Sequence, residues 1–243
     1  MPSATRRISV VTPAYDELPN LREMLPRLLA VLASEPGLDA EVLVVLPAWA
    51  PQVEQEEIAR LGGTPVLRYP SDSFGDALRS GFAAARQDSD YVVTLDADGS
   101  HDPETIRAML AAAPNADVVI GSRYVAGGAT DNSLPLRMMS KALNVVYGRV
   151  LGIPCKDIST NYKLYRREDL GRLALTCRDF DVVEEILFRL RALHGPGFRV
   201  TEVPDHFRER RHGVTKRRLG PFVVSYILTL ARLRWQVGRH PAP

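Results

Sequence analysis

The chain predicts an α/β fold: a mostly parallel central sheet with helices on both faces. Three observations carry this. Short runs of β-branched and apolar residues alternate with segments whose leucines and alanines recur at helical spacing. The strand-like runs are apolar nearly throughout, as strands buried on both faces are. The length, 243 residues with 45% hydrophobic content, suits one sizeable core and hardly two. Residues 1–243 therefore read as a single domain, with a basic loop and C-terminal helix over 205–243 as part of it.

The elements follow in order. Residues 8–12 form a β-branched strand stopped by Pro13. Leu21, Leu25, Leu28, Leu29 and Leu32 then share one helical face, with Asn20 placed to cap it. Residues 41–46 give a second strand and 65–69 a weaker third. A helix over 77–86 leads to a strand at 91–95. Pro103 suits the first turn of the next helix, and 117–122 is another buried strand. After Gly121 a Gly-, Ala- and Asn-rich loop spans 125–133. Helices over 137–151 and 182–193, a strand at 200–203, the basic stretch 206–218 and an amphipathic helix over 222–235 complete the chain.

Composition excludes several classes. Lys and Arg number 31 against 29 Asp and Glu, which argues against a disordered chain and against a dedicated nucleic-acid binder. Cys155 and Cys177 are too few for a disulfide framework and read as ordinary core or loop thiols. The N-terminus lacks the apolar stretch of a secretory signal. The apolar run at 222–230 is far shorter than the ~20 residues of a spanning helix. The expected address is the cytoplasm. The basic stretch followed by an apolar helix also suits peripheral contact with an anionic membrane surface; packing on the core is the other role open to it.

The most specific chemistry lies at Leu95-Asp96-Ala97-Asp98-Gly99-Ser100-His101. Ligands of open α/β sheets bind at the C-terminal ends of strands, and on a continuing strand residues i and i+2 share a side. Two carboxylates converging there repel unless a hard cation such as Mg²⁺ or Mn²⁺ lies beside them. A helix-capping turn is the alternative role, although Asp102 supplies another capping candidate, so neither Asp96 nor Asp98 is needed for it.

Ordered segments around this turn carry a resemblance. They are Val10-Val11-Thr12-Pro13-Ala14-Tyr15-Asp16-Glu17; Gly75, Ala77 and Gly81; Asp96 through Glu104; Gly121-Ser122-Arg123-Tyr124; Asp157 through Tyr165; Glu185; Glu202-Val203-Pro204; and Arg210, Gly213 and Lys216. Over about residues 8–218 the chain resembles a family 2 glycosyltransferase of the GT-A (Rossmann-like) fold, in the branch of dolichol- or polyprenyl-phosphate mannose (or glucose) synthases.

The resemblance implies a nucleotide-sugar donor, GDP- or UDP-hexose, whose diphosphate is neutralised by Mg²⁺ or Mn²⁺. Asp98 would be the principal metal ligand, with Asp96 holding donor or metal from the other side. Pro13, Ala14, Tyr15 and Glu17 would line the nucleotide site. Arg123 would add charge at the leaving diphosphate, and Arg137, Arg210 and Lys216 would clamp a polyprenyl phosphate acceptor. That acceptor is already anionic near neutral pH, so no general base is needed. Inversion at the sugar follows from the family analogy.

The chain also departs from the family. Paired aspartates usually follow the second strand, where they help bind base and ribose; here Leu46-Pro47-Ala48-Trp49-Ala50-Pro51 stands instead. Trp49 is open to two roles, stacking on a base or covering the core. Asp16 replaces a more usual Asn, and Asn161 and Lys163 replace the common Gly and Arg. The departures leave two alternatives beside the polyprenyl phosphate: a soluble small-molecule acceptor in specialised metabolism, and a non-catalytic relative that binds a nucleotide or partner.

Overall fold

A computed structural model describes residues 5–210 and residue 212. Gly213, Lys216 and the expected helix over 222–235 lie outside the described residues.

The described strands are β1 (Arg6–Pro13), β2 (Leu38–Leu46), β3 (Thr64–Leu67), β4 (Tyr91–Thr94), β5 (Val118–Ser122), β6 (Ala129–Thr130), β7 (Lys163–Arg166), β8 (Val200–Pro204) and β9 (His206–Phe207). The helices are α1 (Leu18–Ala33), α2 (Gln52–Arg60), α3 (Phe74–Ala84), α4 (Thr105–Ala112), α5 (Leu134–Leu151), α6 (Arg167–Leu170) and α7 (Val182–His194). Seven strands form one sheet in the order β3-β2-β1-β4-β7-β5-β8, and β6 pairs with β9 in a second, two-stranded sheet. In the large sheet only β7 runs against its neighbours, pairing antiparallel with β4 and β5.

The pleat explains the apolar runs. Ile8 and Val10 of β1 point into one core with Leu21, Leu25 and Leu28 of α1. Val11, in the opposite phase, points into the other with Ala77, Leu78 and Phe82 of α3. A strand that feeds two cores has no polar face, so its sequence reads as continuous hydrophobicity. α3 approaches a neighbouring loop closely at Gly75, where a Cβ would fall 2.2 Å from the Cys177 carbonyl oxygen. Only glycine fits there.

Boundaries differ from expectation in physically intelligible ways. α1 starts at Leu18, with Glu17 as its cap residue, so Asn20 lies inside the first turn. Its side chain bonds Glu17 and the carbonyl of His212 instead of capping. α4 starts at Thr105, two residues beyond Pro103. Five described elements have no counterpart in the sequence reading: α2 and β7, and the short β6, α6 and β9. Both cysteines are free thiols, Cys177 buried, and burial pushes Cys155 up to about 12.

Candidate active site

The chemistry-bearing residues gather beyond the C-terminal ends of β1, β2 and β4. β4 ends at Thr94, so Asp96 and Asp98 sit in a turn rather than on a continuing strand. The alternation of a pleated strand therefore does not set their directions; the turn and the partners of each carboxylate do. Gly99 takes a left-handed φ of 71°, which lets the Ser100 amide donate back to Asp98 Oδ1 at 3.0 Å. Asp98 Oδ2 accepts from Arg210 at 2.9 Å, and the same guanidinium lies 3.4 Å from Glu17 Oε1. Glu17 in turn accepts from Asn20 Nδ2 at 2.6 Å. The structure thus joins the β1–α1 turn, the acidic turn and the segment after β9 through one arginine. Asn20, Glu23, Arg27, Asp98 and Gly99 border an open cleft beside it.

Asp96 is held from the protein side. Asn161 Nδ2 donates to its Oδ1 at 2.9 Å, and His101 Nε2 lies 3.7 Å from its Oδ2. His101 is buried, with Nδ1 2.7 Å from Asp205 Oδ2. Burial by itself works against a charged imidazole, but the hydrogen bonds and charges of Asp205 and Asp96 outweigh it and raise the pKa to about 9. Burial pushes the Asp205 carboxyl up, and the hydrogen bond and charge of His101, with the bonds from Thr105 and the Asp102 amide, together more than reverse this, so its pKa lies below the ordinary value. Near neutral pH the two form a buried ion pair, completed by Thr105 Oγ1 donating to Asp205 at 3.0 Å. Neither Asp205 nor its tie to His101 carries a local signal in the sequence.

The β1–α1 turn forms the neighbouring corner. Pro13 ends β1, and Ala14 is buried, so it works through its backbone: its amide donates to Val45 O at 2.9 Å and its carbonyl accepts from Arg68. Asp16 adopts φ 57°, a left-handed geometry that Asn and Asp tolerate better than most residues. Asp meets here the same backbone requirement that Asn would. Tyr15 and Trp49 meet edge to face, ring centroids 5.7 Å apart, and Arg68 Cζ lies 5.6 Å from the centre of the Tyr15 ring. Trp49 is 57% exposed and Tyr15 42%. Of the two roles open to Trp49, covering the core is therefore excluded. The tryptophan loop is fixed by Asp72, whose Oδ1 accepts from the Ala48 amide at 3.0 Å. A carboxylate thus returns to the region where the paired aspartates are missing, from the loop after β3.

Arg123 is placed differently from its expected position at a diphosphate. Its guanidinium grips Asp157 in a bidentate pair, 2.8 and 2.6 Å, and reaches Ser159 Oγ at 3.1 Å. Side-chain exposure is 9% for Arg123 and 0% for Asp157. A buried carboxylate needs such a partner, and Asp157 is the nearest anion. Glu202 accepts the Lys156 and Asp157 amides, and Glu185 accepts the Thr176 and Cys177 amides. Lys163, fully buried, donates to the carbonyls of Ile158 and Thr160. Burial pulls its pKa down to about 8 despite the opposing charges of Glu184 and Asp157. Arg123, Glu202 and Lys163 thus brace the loop that presents Asn161 to Asp96, while Glu185 holds the separate loop at 176–177. Arg137 is carried by another element, exposed on the first turn of α5.

The donor set fits a hard divalent cation in one mode. Asp96 and Asp98 offer carboxylate oxygens, and a guanidinium already sits against Asp98, marking a place for positive charge. Among the described residues no group of three or more His, Cys, Asp or Glu is arranged to hold an ion alone. Two carboxylates with the remaining positions left to substrate phosphates and water is the habit of Mg²⁺ and Mn²⁺.

Comparison with known proteins places this arrangement. An undecaprenyl-phosphate mannosyltransferase of Micrococcus luteus is 31% identical over 242 residues, 95% of this chain and 96% of that one. A polyprenol monophosphomannose synthase of Mycolicibacterium smegmatis is 33% identical over 229 residues, 87% and 81% of the two chains. In three dimensions the fold is that of GT-A glycosyltransferases. Glucosyl-3-phosphoglycerate synthase from Mycobacterium tuberculosis, solved with phosphoglyceric acid, superposes with a TM-score of 0.69 at 18% identity, covering 98% of this chain and 81% of that one. Residues 9–173 match glycosyl transferase family 2, and the chain belongs to that family as a glycosyltransferase.

Proposed function

We propose that this glycosyltransferase moves a hexose from GDP- or UDP-hexose to a polyprenyl phosphate, with inversion at the sugar, and that residues 1–243 act as one domain of which 205–243 is part. The observation that carries the reading is the Glu17–Arg210–Asp98 cluster. It joins a carboxylate of the acidic turn to a cation on the segment matching the acceptor-phosphate region. The names of the curated relatives, both polyprenyl-phosphate mannosyl transferases, support the same acceptor class.

In this reading Asp96 and Asp98 hold Mg²⁺ or Mn²⁺, which when bound offsets the charge that gathers on the departing diphosphate. Pro13, Ala14 and Glu17 shape the nucleotide corner, and Tyr15 with Trp49 gives it an aromatic wall. Asn161 and His101 fix the rotamer of Asp96. Arg123 acts as the counter-ion of Asp157 and so as a positioning residue. An oxygen of the acceptor phosphate forms the bond to the anomeric carbon as the bond to the nucleoside diphosphate breaks. Arg137, Arg210 and Lys216 hold that phosphate, Arg being suited to paired contacts.

The test is a thermal-shift panel of GDP, UDP, CDP and dTDP with and without Mn²⁺, followed by transfer of labelled hexose to polyprenyl phosphate. A nucleotide at ~100 times its Kd stabilises the fold by about 2.7 kcal/mol. The expected result is one nucleotide that shifts the melt only with metal, an effect abolished by Asp98→Ala. A metal-independent shift, or transfer that survives Asp98→Ala, would sink the assignment.

A further inference from the structure

Three loops meet at the nucleotide corner, those after β1, β2 and β3, and their ties converge on Asp72. Arg68, only 6% exposed, donates to the carbonyls of Ala14 and Asp72 and so joins the first loop to the third. Asp72 joins the second, accepting the Ala48 amide on Oδ1 at 3.0 Å. Every tie ends at or beside an exposed group. Ala14 precedes Tyr15, Ala48 precedes Trp49, and Asp72 is itself exposed. Two aromatic rings and one carboxylate are thereby held around a single corner.

Exposed loops are ordinarily among the more mobile parts of a fold, yet this one is braced from several sides. Ser71 and Ser73 both donate to Asp76 Oδ2, Arg178 reaches Ser71 Oγ at 3.2 Å, and Arg68 holds the Asp72 carbonyl at 2.9 Å. Asp72 Oδ2 bonds no described residue. The corner thus presents a preorganised acceptor beside a wall on which a base can stack. The end of β2 offers no carboxylate of its own, because Leu46 and Pro47 stand there. Asp72 brings one to the same place from the loop after β3.

The chemistry of a carboxylate narrows the base. Ionised, it accepts hydrogen bonds and donates none. Guanine offers it adjacent donors, N1–H and the N2 amino group. Uracil and thymine offer one N–H between carbonyl oxygens that repel the carboxylate. Cytosine and adenine set a lone-pair nitrogen beside their amino group. Guanine alone among these engages both carboxylate oxygens, since Oδ1 keeps a second lone pair beside the Ala48 amide. We propose that Asp72 selects the nucleotide, reading the N1–H and N2–H edge of a guanine stacked on the Tyr15–Trp49 wall. The inference deepens the proposed function, which leaves GDP- and UDP-hexose open and on whose nucleotide site it rests.

The experiment is calorimetric titration of the full-length protein with GDP, IDP, XDP and UDP, each with Mn²⁺. IDP lacks the N2 amino group, and XDP carries a carbonyl in its place. Asp72→Asn keeps an oxygen for the Ala48 amide and turns the other into an amide donor, so the loops stay tied while the reading edge is reversed. The wild type is expected to bind GDP about tenfold or more tighter than the other three. Asp72→Asn should bind XDP about tenfold or more tighter than GDP, at unchanged melting temperature. UDP or IDP bound as tightly as GDP by the wild type overturns the inference and leaves the nucleotide site standing. A variant that still prefers GDP, or that weakens all four alike, overturns it too, because Asp72 would then act on the loops and not on the base. A wild type that binds none of the four overturns the proposed function and this inference with it.

Discussion

Asp76 offers the most quantitative check on how the nucleotide corner is supported. It sits in the first turn of α3, where Ser73 Oγ accepts from its amide and donates to its carboxylate at 2.7 Å. Ser71 donates to the same oxygen, and Arg79 pairs with the other at 2.6 Å. The carboxylate therefore pins the 71–73 loop, which carries the Asp72 that holds the tryptophan loop. Burial pushes the Asp76 carboxyl up, but the bonds from Ser71, Arg79 and Ser73 win and lower it from 3.8 to about 2. At about 1.4 kcal/mol for each tenfold in proton affinity, that depression corresponds to about 2 kcal/mol of stability. The folded-state value lies below the unfolded one, so this contribution is present above pH 3.8 and disappears as pH falls toward 2. Asp76→Asn keeps the shape and removes the charge. Urea unfolding should show a deficit of about 2 kcal/mol between pH 7 and 5, shrinking to about half by pH 3. A deficit that does not change with pH would mean that packing, not the carboxylate charge, accounts for the loss. A deficit below about 0.5 kcal/mol at pH 7, the ordinary range of surface substitutions, would refute the argument entirely.

Two further outcomes follow from the site. Trp49→Ala removes half of the aromatic wall but no core, so unfolding free energy should move by no more than about 0.5 kcal/mol. Calorimetric titration of the nucleotide with Mn²⁺ should meanwhile show affinity reduced by about 1–3 kcal/mol, the typical worth of a base stacked on an aromatic ring; an unchanged Kd would exclude Trp49 from base binding. Asp157→Ala strips the acceptor from Arg123 and from the Arg123 amide and leaves a guanidinium buried without its counter-ion. Breaking such a pair costs about 3–5 kcal/mol, readable as a fall in urea midpoint at unchanged m-value, and a loss under about 1 kcal/mol would show that water reaches the guanidinium.

What was legible in the sequence was whatever has a local signature. β1, β2, β4 and β5 announce themselves as apolar runs because each feeds two cores, and the acidic turn stands out because its spacing is short. α2 escaped because Ile58 is its one buried residue, so no apolar period marks it. β7 escaped for a subtler reason. Its four residues begin with Lys163, and lysine is rarely buried, yet here Nζ is satisfied by two backbone carbonyls of its own loop. That exception makes the strand unreadable as a strand, and it also makes the site. The antiparallel insertion of β7 between β4 and β5 brings Asn161, 65 residues away in sequence, onto Asp96. Asp205 reaches His101 across 104 residues because β8 runs parallel to β5 and ends beside the acidic turn. The acidic pair is thus a local feature, while the groups that orient it are delivered by sheet order. A single sequence therefore exposes the carboxylates and hides their supports. Arg123 shows the converse hazard: a motif arginine at a strand end looks like a phosphate ligand until the buried anion it serves, 34 residues on, is seen beside it.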